Sequence, residues 1–248
     1  MTCCFKKSRC IFIIGIEKKR YRTGFSNMAL NSLSDKLVKQ ISEAAEIMRR
    51  GGIVAYPTDT VYGLGADAFN TDGVEKVYRI KQRPYTMPLP VLLADKAQAA
   101  SLAASISGFA GCLMEKFWPG GLTLVLEADA SLPACITGGG DKIAVRVPDH
   151  IVPVTLVREL GKPVVGTSAN ISNYPSVVTA EEVAQQLGNE VDIIIDAGRC
   201  PGGLESTVVD VSGQSPIILR QGAVPEEEIM KTYREYINGA GESENSIR

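Results

Sequence analysis

The stretch GGIVAYPTDTVYGLG, residues 51–65, decides the fold class of this chain. Before it, apolar residues recur at helical spacing from Leu37 to Met48, and Gly51-Gly52 is typical of a helix end. The apolar run Ile53–Tyr56 that follows is typical of a buried strand. A helix that leads directly into a buried strand predicts an α/β unit.

The same alternation continues along the chain, with a helix predicted over 71–81, a strand over 89–94 and helical stretches between 95 and 117. Thr179 and Glu182 have the spacing of a capping box, which predicts a helix running towards Leu187. Further strands are predicted at 122–127, 143–147, 164–167, 191–196, 207–211 and 217–220. Because the last strands follow one another without a helix, part of the sheet should be antiparallel. The predicted fold class is α/β, with one twisted mixed parallel and antiparallel sheet and flanking helices.

Three segments are expected in the 248 residues: an N-terminal extension at 1–33, one domain at 34–238 and a C-terminal tail at 239–248, frayed from Gly239 onward. The apolar run Cys10–Ile16 lies at the lower limit for a secretory signal. Targeting, a disordered extension and a true start at Met28 are the alternatives for this region. No later stretch approaches the ~20 apolar residues of a membrane span, so no membrane association is expected.

The composition argues against several kinds of functional site. Six cysteines without a CxxC pair suggest neither a zinc site nor a disulfide framework, which fits a reducing compartment and a cytoplasmic protein. A net charge of −2 argues against a wholly basic nucleic-acid-binding surface but allows a local basic cleft. The one histidine, His150, excludes two-histidine metal sites; it is interpreted as a surface residue where a loop enters a helix.

Polar motifs follow several predicted strands or helices. PTDTVYGLG at 57–65 offers hydroxyls, a carboxylate and glycines beyond a strand, where small polar ligands bind in α/β sheets, although such residues also form ordinary turns. Lys81 and Arg83 in KQRP suit a triphosphate, or simply cap a helix end. GTSAN at 166–170 is similar to a nucleophile elbow, but Asn170 replaces the required glycine, so a serine hydrolase is a weak alternative. No P-loop motif occurs.

The ordered motifs PTDTVYGLG, KQRP, FWPGGLT, AVRVP, TSANIS and ESTVVD mark a family resemblance. From about Ser34 to Val224 the chain resembles the YrdC/TsaC family of threonylcarbamoyl-adenylate synthases, of the short single-domain type. The resemblance implies the DHBP synthase RibB-like (YrdC-like) fold with a basic concave surface. It also implies a nucleotidyltransferase that forms threonylcarbamoyl-AMP and pyrophosphate from L-threonine, bicarbonate and ATP, for modification of tRNA next to the anticodon.

Mg²⁺ is expected to accompany the ATP, and a tRNA threonylcarbamoyl-transferase complex to act downstream. Binding of tRNA or double-stranded RNA is also expected from the basic surface. Two alternatives stay open: a double-stranded RNA-binding module without catalysis, and a carbamoyl-transfer enzyme related to hydrogenase maturation proteins. The second is disfavoured because the chain lacks the cysteine pairs of those proteins.

Carried over by motif position, the resemblance assigns catalytic roles to Lys81 and Arg83 and predicts three groups of binding residues. The threonine substrate is expected to contact Thr60, Thr123, Gly166 and Ser206. ATP is expected to contact Lys81, Arg83, Pro119, Ser168, Asn170, Ser176 and Arg220. Arg146 is expected to meet a carboxylate or phosphate in the same cavity. Met87 stands where family members often have Asn or Lys, and Gly121 where they often have Pro; a thioether is a weak hydrogen-bond partner for phosphate.

Overall fold

The computed structural model describes residues 33–245, and the side chains of residues 33–239. The helices of this part of the chain are α1 Asp35–Arg49, α2 Thr71–Lys81, α3 Gly108–Phe117, α4 Ala134–Thr137, α5 Ile151–Leu160, α6 Ala180–Leu187 and α7 Glu226–Asn245, with 3₁₀ turns at Lys96–Ser101 and Gly188–Glu190. The strands are β1 Val54–Tyr56, β2 Gly63–Gly65, β3 Val91–Leu92, β4 Leu122–Glu127, β5 Lys142–Arg146, β6 Val164–Val165, β7 Thr167–Ser168, β8 Ile193–Ile194, β9 Thr207–Asp210 and β10 Ile217–Arg220. The predicted extension at 1–33 lies, but for its last residue, outside the described residues.

Side-chain caps explain where several helices begin. The Oγ of Ser34 accepts from the N–H of Leu37 at the start of α1, and the side chain of Asn70 does the same for Gly73 in α2. The capping box of Thr179 and Glu182 predicted at α6 is confirmed. Each cap satisfies a backbone donor that the helix itself leaves unpaired. At the other end of the chain, α7 continues past Gly239 to Asn245, beyond the predicted fraying point.

The strands form two sheets, where the sequence predicted one. A four-stranded sheet has the order β7-β2-β1-β8 and a six-stranded sheet the order β10-β9-β4-β5-β3-β6. The predicted mixture of parallel and antiparallel pairs is confirmed, since β1–β8, β3–β5 and β4–β9 are parallel and the other pairs antiparallel.

One short segment connects the two sheets. The strand predicted over 164–167 is divided at Gly166: β6 pairs with β3 in the larger sheet, and β7 pairs with β2 in the smaller. At this position a Cβ would lie 2.4 Å from Cγ of Leu92, so only glycine fits without a shift of its neighbour. The apolar pattern predicted a strand here, but it did not reveal the change of sheet.

Two apolar cores cover the faces of the smaller sheet. Along β1 the side chains alternate, so that Ile53 and Ala55 join the larger core while Val54 and Tyr56 join the smaller. The smaller core lies beneath α1 and α5, and the larger receives side chains from α2, α3 and α6. Burial on both faces is what the apolar run Ile53–Tyr56 predicted.

The six-stranded sheet has two unlike faces. Leu122, Leu124 and Leu126 of β4 point into the larger core with Val145 and Val209 of the neighbouring strands. The alternate residues, of which Thr123 and Arg146 are examples, face a concave surface instead. Among the described residues, no helix is long and apolar enough to cross a membrane.

Gly65 provides a test of how tightly the sheets pack. A Cβ at this position would lie 2.1 Å from the carbonyl oxygen of Val165, so Gly65→Ala is expected to lower the free energy of unfolding by about 1–3 kcal/mol. Gly111→Ala is the matched control, because a Cβ there meets nothing within 4 Å inside α3, and it should gain about 0.5–1 kcal/mol. Urea unfolding of both variants measures the two effects, and equal values would contradict the packing described here.

Candidate functional site

A cavity of about 500 Å³ lies between the two sheets. Its volume is in the range that holds a small ligand or cofactor. One wall comes from the residues of the smaller sheet and its loops, including Thr60, Gly63 and Ser168, and the other from the larger sheet. Because side chains alternate along a strand, the second wall takes Thr123 and Val125 from β4 and every second residue of β5 and β9.

Arg146 fixes the loop after β1 against the floor of the cavity. Its Nε donates to the carbonyl of Gly120 (2.8 Å), Nη1 to Oγ1 of Thr60 (3.0 Å) and Nη2 to Oδ1 of Asp59 (2.6 Å). Burial lowers the pKa of Arg146, and the charge of Asp59 opposes the shift. The carboxylate that Arg146 meets is therefore that of Asp59, and the ion pair holds Thr60 in the cavity wall.

A group of hydroxyls lies beside this loop. Oγ1 of Thr123 and Oγ of Ser206 are 2.8 Å apart, and Nη2 of Arg220 donates to the Ser206 oxygen (3.1 Å). Nε of Arg220 also donates to the Ser206 carbonyl (3.1 Å). Strands β4, β9 and β10 thus bring together side chains that are almost a hundred residues apart.

Lys81 lies just behind the cavity wall with its ammonium group inside the protein. Nζ donates to the carbonyl of Ser168 (2.8 Å), and to the carbonyl and Oδ1 of Asn170 (Oδ1 at 2.8 Å). Burial lowers the pKa of Lys81 to about 8, although the charge of Glu205 works in the other direction. The ammonium group does not cap the carbonyls of its own helix, which was the alternative interpretation of KQRP; it anchors the segment after β7.

Arg83 lines the cavity and keeps donor capacity. Its Nη2 donates to the carbonyl of Pro88 (2.9 Å), whereas its buried Nε has no hydrogen-bond partner among the described residues. Burial lowers the pKa of Arg83. An unpaired buried donor on a cation costs free energy that a bound anion would recover.

Most of the predicted site residues meet at this cavity. Those that line it are Thr60, Arg83, Thr123, Arg146, Gly166, Ser168, Ser206 and Arg220. Two others contact residues that line it, through hydrogen bonds from Lys81 to Ser168 and from Ser176 to Glu205. Asn170 receives the ammonium of Lys81 and so joins the same group. Pro119 is not in the wall; it precedes Gly120, whose carbonyl holds Arg146.

Several expectations about single residues can now be compared with the structure. Trp118, in the FWPGGLT motif, is a core residue: it is buried and its indole donates to the carbonyl of Leu122. His150 does stand at the start of a helix, but it is half-buried rather than on the surface, and its Nδ1 accepts from the N–H of Val152. Glu205 of the ESTVVD motif, for which the sequence predicts no role, also lines the cavity. Met87 lines it as well.

The two sheets enclose a cavity that is lined by arginine side chains and hydroxyl groups, which suits a small anionic ligand. The family model described as "Telomere recombination" (Sua5/YciO/YrdC) matches residues 46–222, and the chain belongs to this family.

Three relatives show how far the similarity extends. Threonylcarbamoyl-AMP synthase of Bacillus subtilis is 44% identical over 77% of this chain and 55% of its own length, and that of Vibrio cholerae 35% identical over 75% of this chain and 99% of its own. A crystal structure of Pyrococcus abyssi Sua5 complexed with L-threonine has a TM-score of 0.75 and 42% identity over 77% of this chain and 56% of that one. The chain therefore spans little more than half the length of two of these relatives. It spans almost all of the third.

Proposed function

We propose that this protein is an L-threonylcarbamoyladenylate synthase, a nucleotidyltransferase that forms threonylcarbamoyl-AMP and pyrophosphate from L-threonine, bicarbonate and ATP. The names of the B. subtilis and V. cholerae relatives and the threonine-bound Sua5 support the proposal. The observation that carries it is the cavity itself, in which Arg83 has an unpaired Nε and Arg220 stands beside Ser206 and Thr123.

We assign the lining residues to two groups by their chemistry. Thr60, Thr123 and Ser206 offer hydroxyls, Gly166 lines the cavity with them, and we assign these four residues, the threonine end, to threonine. Arg83, Ser168 and Arg220 are assigned to the phosphates of ATP, with Lys81, Asn170 and Ser176 supporting them from behind. An arginine fork suits phosphate oxygens because it donates two parallel hydrogen bonds. Arg146 is committed to Asp59 and Thr60 and orders the threonine end.

The reaction requires the protein mainly to position the substrates and to stabilise negative charge. The amine of threonine and bicarbonate first give a carbamate and water, and a carbamate oxygen then attacks the α-phosphate while the bond to pyrophosphate breaks. The guanidinium groups of Arg83 and Arg220 stabilise the negative charge that grows on the departing pyrophosphate. No protein nucleophile is required, because holding the carbamate oxygen in line with the leaving group supplies most of the acceleration.

Mg²⁺ is proposed to enter with ATP and to neutralise its phosphate charge. Among residues 33–239, no group of three or more histidine, cysteine, aspartate or glutamate side chains could hold a metal ion. The carboxylates nearest the cavity, Asp59, Glu205 and Asp210, are each paired with an arginine or lysine. This donor set fits magnesium held by phosphate and water oxygens rather than by a protein cage.

Pyrophosphate release is the experiment that tests the proposal. Release is expected only when ATP, L-threonine and bicarbonate are all present, because the acceptor of the adenylyl group is a carbamate made from two of them. Serine should replace threonine poorly, since loss of one methyl contact is worth about 1–3 kcal/mol. Equal release without threonine would mean that the protein is an ATPase instead.

The product belongs to tRNA modification, and we propose that a tRNA threonylcarbamoyl-transferase complex in the cytoplasm consumes it. Direct binding of tRNA or double-stranded RNA is a further expectation from the resemblance. A pure RNA-binding module would show salt-sensitive RNA binding without pyrophosphate release, so the same assay separates the two readings.

A further inference from the structure

Glu205 stands at the centre of the residues assigned to ATP. One carboxylate oxygen accepts from the hydroxyl of Ser176, and the other forms an ion pair with Nη1 of Arg220. The hydroxyl of Ser168 also donates to this carboxylate. One side chain therefore links β7, the loop after it and the edge strand β10.

Glu205 is ionised at neutral pH. Burial works to raise the pKa of Glu205, but hydrogen bonds from Ser176 and Ser168 and the charges of Arg220 and Lys81 outweigh it, and the pKa lies below its usual range. The main chain of Glu205 is held as well, because its carbonyl accepts from the N–H of Ala223 (2.9 Å). The carboxylate is thus a fixed charge in a fixed place.

A negative charge beside a triphosphate site needs a reason, because alone it would repel ATP. The side chain of Arg220 is long and 44% exposed, on a strand at the edge of the sheet. Without Glu205, only the hydrogen bonds to Ser206 would hold this side chain, and it would have to be ordered further each time the ligand binds, at a cost in affinity. The groups that act on Lys81 are Glu205, Arg83 and Arg220, so three cations surround one anion and the region stays positive.

We propose that Glu205 is a positioning residue for ATP: its carboxylate holds Arg220, Ser168 and Ser176 in the arrangement that receives the triphosphate. The inference rests on the proposed function for the identity of the ligand. It adds a residue for which the family resemblance predicted no role, and it explains why a carboxylate lies among cations that should bind an anion.

Steady-state pyrophosphate release by Glu205→Ala and Glu205→Gln tests this role. In the alanine variant the KM for ATP should rise about 10-fold or more, because a charge-assisted contact that orders Arg220 is lost. Glutamine keeps the shape and one acceptor, so its effect should be smaller. The KM for threonine should stay within about twofold in both, since Arg146 still orders Thr60 and the hydrogen bond between Thr123 and Ser206 remains.

The pH profile supplies a second readout. The charge of Glu205 raises the pKa of Lys81, while Arg83 and Arg220 lower it. Removing the carboxylate charge should therefore move the alkaline limb of kcat/KM for ATP, set near pH 8 by Lys81, to lower pH in both variants. Glu182→Ala is the matched control: it removes the side-chain acceptor of the α6 capping box and should lower the melting temperature, but it should leave the KM and the limb unchanged.

Two results would overturn the inference. A KM for ATP at or below the wild-type value would show that the carboxylate only repels the nucleotide. Equal rises in both KM values with a lower melting temperature and an unshifted limb would show a merely structural role. If the wild-type protein releases no pyrophosphate, the proposed function fails instead, and equilibrium binding of ATP to the same variants decides whether Glu205 orders a nucleotide site.

Discussion

Replacing Arg83 by alanine is expected to lower kcat/KM for ATP by about 10²-fold or more while leaving the fold intact. Within the part of the chain that the structure describes, the Arg83 side chain makes one hydrogen bond, to the carbonyl of Pro88, and its buried Nε makes none. Little folding energy is therefore lost with it. What disappears is a fork of donors that strengthens its hold on phosphate oxygens as pyrophosphate leaves.

Two further variants make the Arg83 experiment decisive. Arg83→Lys keeps the charge but not the planar fork, and should recover only part of the activity. Lys231→Ala removes an exposed cation of α7 outside every motif and should do little. Pyrophosphate release and thermal melts on all three variants provide the measurement. Wild-type turnover in Arg83→Ala would disprove its phosphate-binding role.

Lys81→Met should reduce turnover by a similar factor, ~10² or more, for a different reason. The ammonium group ties down the carbonyls of Ser168 and Asn170, so methionine leaves the segment after β7 without its anchor. Ser168 lines the cavity, and a displacement of about 1 Å at a positioning residue can cost two orders of magnitude. Lys76→Met on the same helix is the control, since Lys76 donates to Gly51 away from the cavity.

The pH dependence of stability tests whether the ammonium group of Lys81 is buried. Because burial lowers the pKa of Lys81 from its ordinary 10.5 to about 8, the unfolded chain binds more protons than the folded protein between these two values. The wild-type protein should therefore gain stability relative to Lys81→Met as the pH rises through this window. Activity should move the opposite way, since the anchoring charge is lost. Parallel urea titrations from about pH 7 to 10 would reveal a constant difference if Lys81 were an ordinary surface lysine.

Hydrophobic periodicity and the residues typical of helix ends were enough to locate most helices and strands. The bounds predicted for α2, β4 and β10 agree with the structure, and Thr179 with Glu182 marked the start of α6. The strand predicted over 89–94 shrinks to Val91–Leu92, where prolines at 88 and 90 lack the N–H that a ladder requires. The second sheet was missed because an apolar run reports burial and says nothing about which strand will be its partner.

The site was predictable in its residue types but not in its pairings. Motif order identified eight residues that line one cavity. Sequence patterns could not show that Asp59 would form an ion pair with Arg146. Nor could they show that the ammonium group of Lys81 would donate to carbonyls 87 and 89 positions away. Such pairs depend on which strands become neighbours. The role of Glu205 could not be predicted for the same reason, because the residues that it contacts lie on three separate segments.

The segment 164–168 acts as a strut between the two walls of the cavity. Its first two residues are hydrogen-bonded into one sheet and its last two into the other, with the N–H of Gly166 held by the carbonyl of Pro90 (2.8 Å). A ligand that is too large cannot spread the walls without breaking strand pairing on both sides of this crossing. The width of the cavity is consequently set once, when the chain folds, and any adjustment to substrates falls to the loops that follow β1 and precede β9.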